Sequence, residues 1–400
     1  MKRDIYTDDH DMFREAVAAF VAREIMPRDE EIRETRQIPK EVWLKAGEAG
    51  FLGIGIPEEY GGAGLDDFRF NAVLQEELAK AGMAYGSSVG IHTDVVAPYL
   101  VELSTPAQKE RWLPGFVTGE LRTAIGMTEP GAGSDLAALR TNAVQQDDGS
   151  WILNGSKTFI TNGYYAELVV VAARTSDGPS RSAISMFVVE DGMPGFNRGR
   201  KLDKVGQHEA DTAELFFENV RLPAENLLGE EGRGFPYMME RLAQERLSAA
   251  CVNIGHAAIA LERTLEYVKE RQAFGRPVGT FQNSRFKLAT MVTEVEVTQA
   301  YVDQCLRAHN DGALTAVDAA KAKYWTAEVQ NRVIDDCVQL YGGYGYMNEY
   351  EVARAWADAR VTRIWAGSNE IMQELIGRDL GLGDPRPSKA EARPVAANPA

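Results

Sequence analysis

"MMERLAQERLSAACVNIGHAAIALERTLEYVKER", Met238 to Arg271, holds a single interior glycine and no proline. Nothing in it interrupts a helical period, so it predicts one long helix. Such a helix buries its apolar stripe only against partners of similar length. Two follow: "FKLATMVTEVEVTQAYVDQCLRAH" from Phe286 and "AVDAAKAKYWTAEVQNRVIDDCVQLYG" from Ala316. Together they predict a C-terminal four-helix bundle over 233–382.

Upstream the pattern changes twice. From about Thr123 to Arg221 the chain has short β-type segments, "WILNGSKTFI", "ELVVVAA", "AISMFVVE" and "TAELFFENV". Turn signals separate them: "DDGS" at 147, "NG" at 154 and 162, "DGPS" at 177 and "DGMPG" at 191. They predict a β-barrel or sandwich over 123–232. Before that, "MFREAVAAFVAREIM" and "FNAVLQEELAKAG" repeat apolar residues three and four apart, with the Gly-rich connector "GFLGIGIPEEYGGAGL" between them. This predicts an N-terminal helical domain over 1–122. The fold class is thus mainly α with a middle β-domain. The last stretch, 383–400, "GDPRPSKAEARPVAANPA", is expected to be a disordered tail.

Composition narrows the function. The chain has 400 residues, 44% hydrophobic and 26% charged, as in a globular protein of two or three domains. A net charge of -16 argues against nucleic-acid binding, which needs a basic surface. The three cysteines, Cys251, Cys305 and Cys337, lie far apart within helical patterns and read as buried thiols. "MKRDIYTDDHDMFREAV" has no apolar signal-like region and "LVVVAA" is too short to span a bilayer, so no membrane insertion and a cytoplasmic location are expected.

Several chemistries are absent. There is no phosphate loop of the G-x-x-x-x-G-K-[ST] type, and "GFLGIGIPEEYGG" lacks the third glycine and following helix of a dinucleotide fingerprint. "HEADT" at His208 supplies one histidine where a zinc motif needs two, and the five histidines are scattered, so no metal is expected.

Three features could carry chemistry. "GMTEPGAGSD", Gly126 to Asp135, is rich in small residues that let backbone approach a flat ligand, with Thr128 and Ser134 offering hydroxyls. A tight turn entering the β-domain has the same composition. Glu245 shares a helical stripe with Met238, Leu242, Ala249 and Val252, where burial raises a carboxyl toward the range of a general base. An i, i-4 pair with Arg241 on a solvated face is the alternative. Ser368 and Asn369 can cap the helix "EIMQELIGRDL" and leave N-H groups for an anion or carbonyl oxygen. Ordinary capping explains them equally.

The segments "MTEPGAGSDL", "LNGSKTFITNG", "RQAFGRPVGTFQ", "QLYGGYGYMNEY" and "RIWAGSNEIM" resemble, in order and spacing, the acyl-CoA dehydrogenase family, and the likeness runs from about Tyr6 to Leu382. It is closest in pattern to the long-chain and isovaleryl-type members. The resemblance implies FAD held between the β-domain and the C-terminal bundle. Ile125, Met127, Thr128, Gly133 and Ser134 would line it, with Met127 and Thr128 nearest the ring and Phe159, Ile160 and Thr161 on the other side. Arg271, Phe274, Gln282, Gln339, Gly342 and Gly343, with Ser368, Asn369 and Glu370, match positions that bind the rest of FAD. Part of that set comes from a neighbouring subunit in such proteins, which implies a homotetramer.

The implied reaction is α,β-dehydrogenation of an acyl-CoA: a base takes the α-proton, the β-hydrogen leaves as hydride, and electron-transferring flavoprotein reoxidises the flavin. Most members carry the base where this chain has Ala366; the long-chain and isovaleryl types carry it at the position of Glu245, which is therefore assigned as base. Ser134, Ser182, Arg246, Trp365, Ala366 and Gly367 match substrate-side positions, and the Ala366 N-H would polarise the thioester carbonyl. Trp365 replaces a small residue of isovaleryl-type enzymes, so straight medium or long acyl chains are expected. The rivals are a flavin monooxygenase on the same fold, a glutaryl-type or branched-chain dehydrogenase, and a non-catalytic helical scaffold. A glutaryl-type enzyme would need a cation near the pocket, for which "SSVGIHTDVVAPYL" offers only His92, expected to be structural.

Overall fold

The computed structural model describes residues 3–382; the expected tail at 383–400 lies outside the described residues. The N-terminal part comprises α1 (Asp8–Phe20), α2 (Asp29–Thr35), α3 (Lys40–Glu48), α4 (Phe68–Ala81), α5 (Met83–Gly90), α6 (Ala97–Leu103) and α7 (Pro106–Thr118). Caps fix several starts. The Asp67 carboxylate accepts from the Arg69 N-H at 3.0 Å ahead of α4, and Thr105 with Gln108 forms a capping box on α7. Between α5 and α6 the segment Ile91–Val96 is π-helical, an uncommon form often found at functional sites.

The middle part contains β1 (Thr123–Gly126), β2 (Asn142–Gln145), β3 (Trp151–Thr161), β4 (Leu168–Arg174), α8 (Ser180–Ala183), β5 (Ile184–Glu190), β6 (Phe196–Lys201), β7 (Thr212–Leu222) and β8 (Leu227–Leu228). They form one eight-stranded sheet in the order β6-β7-β3-β2-β4-β5-β8, with β1 parallel to β4. The continuous apolar run of β4 follows from burial on both faces. Val169, Val171 and Ala173 enter a core shared with Trp151, Leu215 and Phe217, whereas Leu168, Val170 and Ala172 pack against Tyr99, Leu100, Trp112 and Met238. One sheet face therefore curls over its own interior, and the other seats the N-terminal helices and the start of the long helix.

One expected turn is not a turn. Asn154-Gly155 lies inside β3, where the pairing with β7 slips between Leu153 and Gly155. Gly155 has φ +145°, and a Cβ there would lie 2.5 Å from Thr141 Oγ1. The dipeptide marks a bulge and a close backbone approach, not a hairpin.

The C-terminal part comprises α9 (Gly234–Glu270), the two-stranded hairpin of β9 (Gln272–Ala273) and β10 (Arg276–Pro277), α10 (Gln282–Asn310), α11 (Ala316–Tyr341), α12 (Glu351–Ala359) and α13 (Asn369–Asp379). The mutual core of α9, α10 and α11 includes Leu247, Ile254, Met291, Val302, Val329 and Val333, and α13 lies against α11. α4 packs along α9 from the N-terminal side, so α9 touches all three parts of the chain. All three cysteines are free and buried, as their helical settings led us to expect. Among the described residues no helix is long and apolar enough to cross a membrane.

Candidate active site

The site is built around the first half of α9. Met238 and Val252, the outer members of the stripe, are buried, while Glu245 is partly exposed. The solvated alternative for Glu245 does not occur. Arg241 is itself buried and turns away, bonding Glu102 and the Tyr237 carbonyl, with its guanidinium 4.9 Å from the Tyr99 ring centroid. Glu245 instead accepts a long hydrogen bond, 3.4 Å, from the hydroxyl of buried Tyr99. Burial raises its pKa from 4.5 to about 7, against the opposing charge of Arg246, the Tyr99 bond and the charge of Arg241.

Two neighbours hold this part of α9 in place. The Gln244 amide donates to the Asp94 carbonyl at 2.7 Å and the Ser248 hydroxyl to the Asp94 carboxylate at 2.5 Å. Asp94 sits on the π-helical segment, fully buried, and also receives Asn71, Gln75 and Thr93. Desolvation nevertheless leaves its pKa raised. Arg246 is buried with an unpartnered Nε, and so is the Trp365 Nε1.

The turn Trp365–Ser368 approaches the same region. Trp365 packs on Val252, Met83 and Ala79. Ala366 has φ +50°, Gly367 has φ +86°, and the Ala366 N-H makes no hydrogen bond among the described residues. Ser368 caps α13, its hydroxyl accepting from the Ile371 N-H at 3.4 Å. Asn369 is not a cap; its side chain turns inward to Lys323 and Glu328. Glu370 is exposed and its pKa is lowered by backbone and Ser368 hydrogen bonds, so it stays ionised.

The two segments read as flavin-lining come together where the chain leaving β1 meets β3. The Thr158 N-H donates to the Thr128 carbonyl at 3.0 Å. Glu129 and Ala132 close a tight turn, leaving Gly133 and Ser134 exposed. Ile125 and Met127 pack with Ile91, Phe235 and Met238. A second slip in β3, between Lys157 and Ile160, puts Phe159 at φ +59° and leaves it 69% exposed, with Ile160 buried and Thr161 half-buried. Ser182, on α8, is exposed, and α8 packs against Leu136–Ala138 beside that loop.

The third set is on the outside. Arg271, Phe274, Gln282, Gln339, Gly342 and Gly343 are all exposed, Phe274 at 96%. The Arg271 guanidinium lies 5.3 Å from the Tyr344 ring centroid, which joins the β9-β10 hairpin to the 339–343 segment. A bare phenylalanine beside an exposed cation and glycines suits a partner molecule.

Sequence reasoning missed the residues that hold these pieces. Lys157 and Glu129 form a buried pair at 2.8 Å, and Lys157 also donates to the Met127 carbonyl at 3.2 Å. Burial lowers the Lys157 pKa to about 8. Only the alternation of β3, which puts a lysine at an inward position, could have signalled it. Tyr99, Asp94 and Lys323 had no local signal, since each acts through a residue distant in sequence. His92 is structural, as expected: it is fully buried, stacked on Phe116 at 3.6 Å and bonded to Thr123 and the Phe116 carbonyl.

The donor set fits a flavin. The hydroxyls of Thr128, Ser134 and Thr161 make no hydrogen bond among the described residues, and a Cβ at Gly131 or Gly133 would meet nothing within 4 Å. Comparison with known proteins agrees. Family models for the acyl-CoA dehydrogenase N-terminal, middle and C-terminal domains match residues 7–120, 124–220 and 232–381. The chain is 48% identical over 380 residues to the mitochondrial long-chain specific acyl-CoA dehydrogenase of Mus musculus, covering 94% of this chain and 88% of that one. It is 38% identical over 378 residues to the mitochondrial isovaleryl-CoA dehydrogenase of Solanum tuberosum, covering 94% and 91%. The crystal structure of acyl-CoA dehydrogenase from Geobacillus kaustophilus superposes with a TM-score of 0.93 at 46% identity, covering 95% of this chain and all of that one.

Proposed function

The chain belongs to the acyl-CoA dehydrogenase family, and on that premise we propose that Glu245 is the base of its α,β-dehydrogenation. The protein is a flavin-dependent acyl-CoA dehydrogenase with FAD as cofactor. FAD, when bound, supplies the acceptor for the β-hydrogen and its electron pair. The observation that carries the assignment is a carboxyl on the apolar stripe of α9, bonded by the Tyr99 hydroxyl and raised to about 7, in a chain whose residue 366 is alanine.

Glu245 takes the α-proton onto its carboxylate, a step open to a base of this strength only if the thioester oxygen is polarised. The unpartnered Ala366 N-H is the proposed donor to that oxygen. Trp365 and Tyr99 wall the reacting carbons from water, and Arg246 steadies the ionised base. Ser134, Ser182 and Gly367 are the proposed further substrate contacts. Ile125, Met127, Thr128, Gly133, Ser134, Phe159, Ile160 and Thr161 would hold the flavin ring, with Ser368, Asn369 and Glu370 completing that side. Arg271, Phe274, Gln282, Gln339, Gly342 and Gly343 would reach FAD of a neighbouring copy. Their exposure supports that role and a homotetramer.

The proposed substrates are straight medium or long acyl-CoAs, supported by the bulk of Trp365 and by the long-chain relative; electron-transferring flavoprotein is the proposed acceptor. The proposed compartment is the cytoplasm, which suits three free, buried thiols. A rate panel over acyl-CoAs of graded length and branching tests the assignment. Straight chains should exceed isovaleryl-CoA, and Glu245→Gln should lose roughly 10²-fold or more in kcat. Undiminished turnover by Glu245→Gln would overturn the base, and faster isovaleryl-CoA the substrate class. Oxygen consumption by the reduced protein without enoyl-CoA would favour a monooxygenase.

A further inference from the structure

Lys323, on α11, is fully buried, a rare setting for a lysine. Its Nζ donates to the Gly367 carbonyl at 2.6 Å and to Asn369 Oδ1 at 3.1 Å. The Asn369 amide donates in turn to Glu328 at 2.8 Å, and the other Glu328 oxygen is held by Arg363 at 2.8 Å. The residues from Arg363 to Asn369 are therefore tied at three points to one face of α11.

The turn needs such ties. Ala366 is a non-glycine residue in the left-handed region, which the Cβ of an L residue disfavours. Gly367 lies in the same region at φ +86°, so two consecutive residues of the turn are held there. Strain of this kind persists only where the surroundings over-determine it.

A neutral donor could make the same bonds, so the charge calls for its own account. Lys323 forms no ion pair within 4 Å among the described residues; its acceptors are an amide and a carbonyl oxygen. The charges around it are Arg246 on α9, Glu370 on α13 and Glu328 on its own helix. Burial and then Arg246 oppose its ionisation, yet its value falls only to about 8, so it remains a cation at neutral pH. Its charge lies at the carbonyl of the Gly367–Ser368 peptide, where it strengthens the hydrogen bond that holds the turn.

We propose that Lys323 is a positioning residue for the dehydrogenation: by holding the Gly367 carbonyl and the Asn369 side chain it fixes the turn that presents the Ala366 N-H to the thioester oxygen. This rests on the proposed role of Ala366. The test uses the FAD-loaded, full-length protein with Lys323→Met and Lys323→Arg. Lys323→Met should lose about 10–100-fold in kcat, less than the roughly 10²–10³-fold of deleting such a donor, with KM within about twofold. Lys323→Arg, which keeps charge and donors, should recover to within about fivefold. Amide hydrogen exchange should rise across 364–370 in Lys323→Met alone and stay unchanged elsewhere.

A wild-type kcat in Lys323→Met, or a lost kcat with unchanged exchange at the turn, overturns the proposal. So does a loss accompanied by faster exchange throughout α9 and α11, which marks a purely structural lysine. If Lys323→Met does not fold, Lys323→Gln, whose donor is shorter and uncharged, should show both changes to a smaller extent, and a wild-type kcat or unchanged exchange at the turn in it overturns the proposal. A wild-type protein that forms no enoyl-CoA would instead refute the proposed function.

Discussion

Glu245 shows how little a residue's own identity says about its chemistry. The same carboxyl on a solvated face would have its ordinary acidity; on this stripe it is raised from 4.5 to about 7. Two consequences follow with defined sign. As the free base it must be ionised, so kcat/KM should rise with pH through about 7, and the hydroxyl of Tyr99 helps hold it ionised. Tyr99→Phe should therefore move that limb upward by about half a unit to one unit, read from the pH profile. Because folding favours the protonated form, the group loses stability as pH climbs from 4.5 toward 7. Glu245→Gln should melt about 2–4 °C above wild type at pH 8, a difference that vanishes below pH 4.5. Equal melting at pH 8 would mean the carboxyl is better solvated than its surroundings imply.

Elements carry these residues into register. β3 does so by irregularity: its two slips against β7 bring Gly155 against Thr141 and turn Phe159 outward. The loop after β1 is then fixed to β3 by the buried Lys157–Glu129 pair and the Thr158 N-H to Thr128, and to the segment entering β2 by the N-H groups of Arg140 and Thr141 to Glu129. Removing one partner leaves the other charge buried, a loss of about 3–5 kcal/mol. Glu129→Gln should thus shift the denaturant midpoint strongly and release flavin, followed by absorbance after desalting. Full flavin retention with an unchanged midpoint would show that the loop is held without the pair. α9 plays the complementary part, presenting Glu245 from a helix clamped at Gln244 and Ser248 by Asp94.

At the scale of the molecule, the residues proposed to reach the FAD of a neighbouring copy lie exposed. Phe274, Arg271 and the 339–343 segment are far in sequence from the loop at 126–135. Two copies related by symmetry would cover them and contribute to each other's cofactor. Phe274→Asp should lower both sedimentation mass and flavin content together. Loss of one without the other would separate assembly from cofactor binding.

How much of this was legible follows from where each signal resides. The uninterrupted period from Met238 to Arg271, the paired strand runs and the Gly-rich loops are local properties, so the sequence determined the order of helices, sheet and bundle. Its motifs, through their resemblance to a family, supplied the proposed flavin loops and the proposed base at 245 in place of one at 366. It could not distinguish the apolar stripe from a solvated ion pair, because Arg241 is one turn away in either case; only the tertiary fold supplies Glu102 as its partner and Tyr99 as that of Glu245. Nor could it mark Asn154-Gly155 as a bulge, since Thr141 meets it only across the sheet. Lys323 and Asp94 were invisible for the same reason. Their energies come from burial and from partners brought close by packing, which no local pattern encodes.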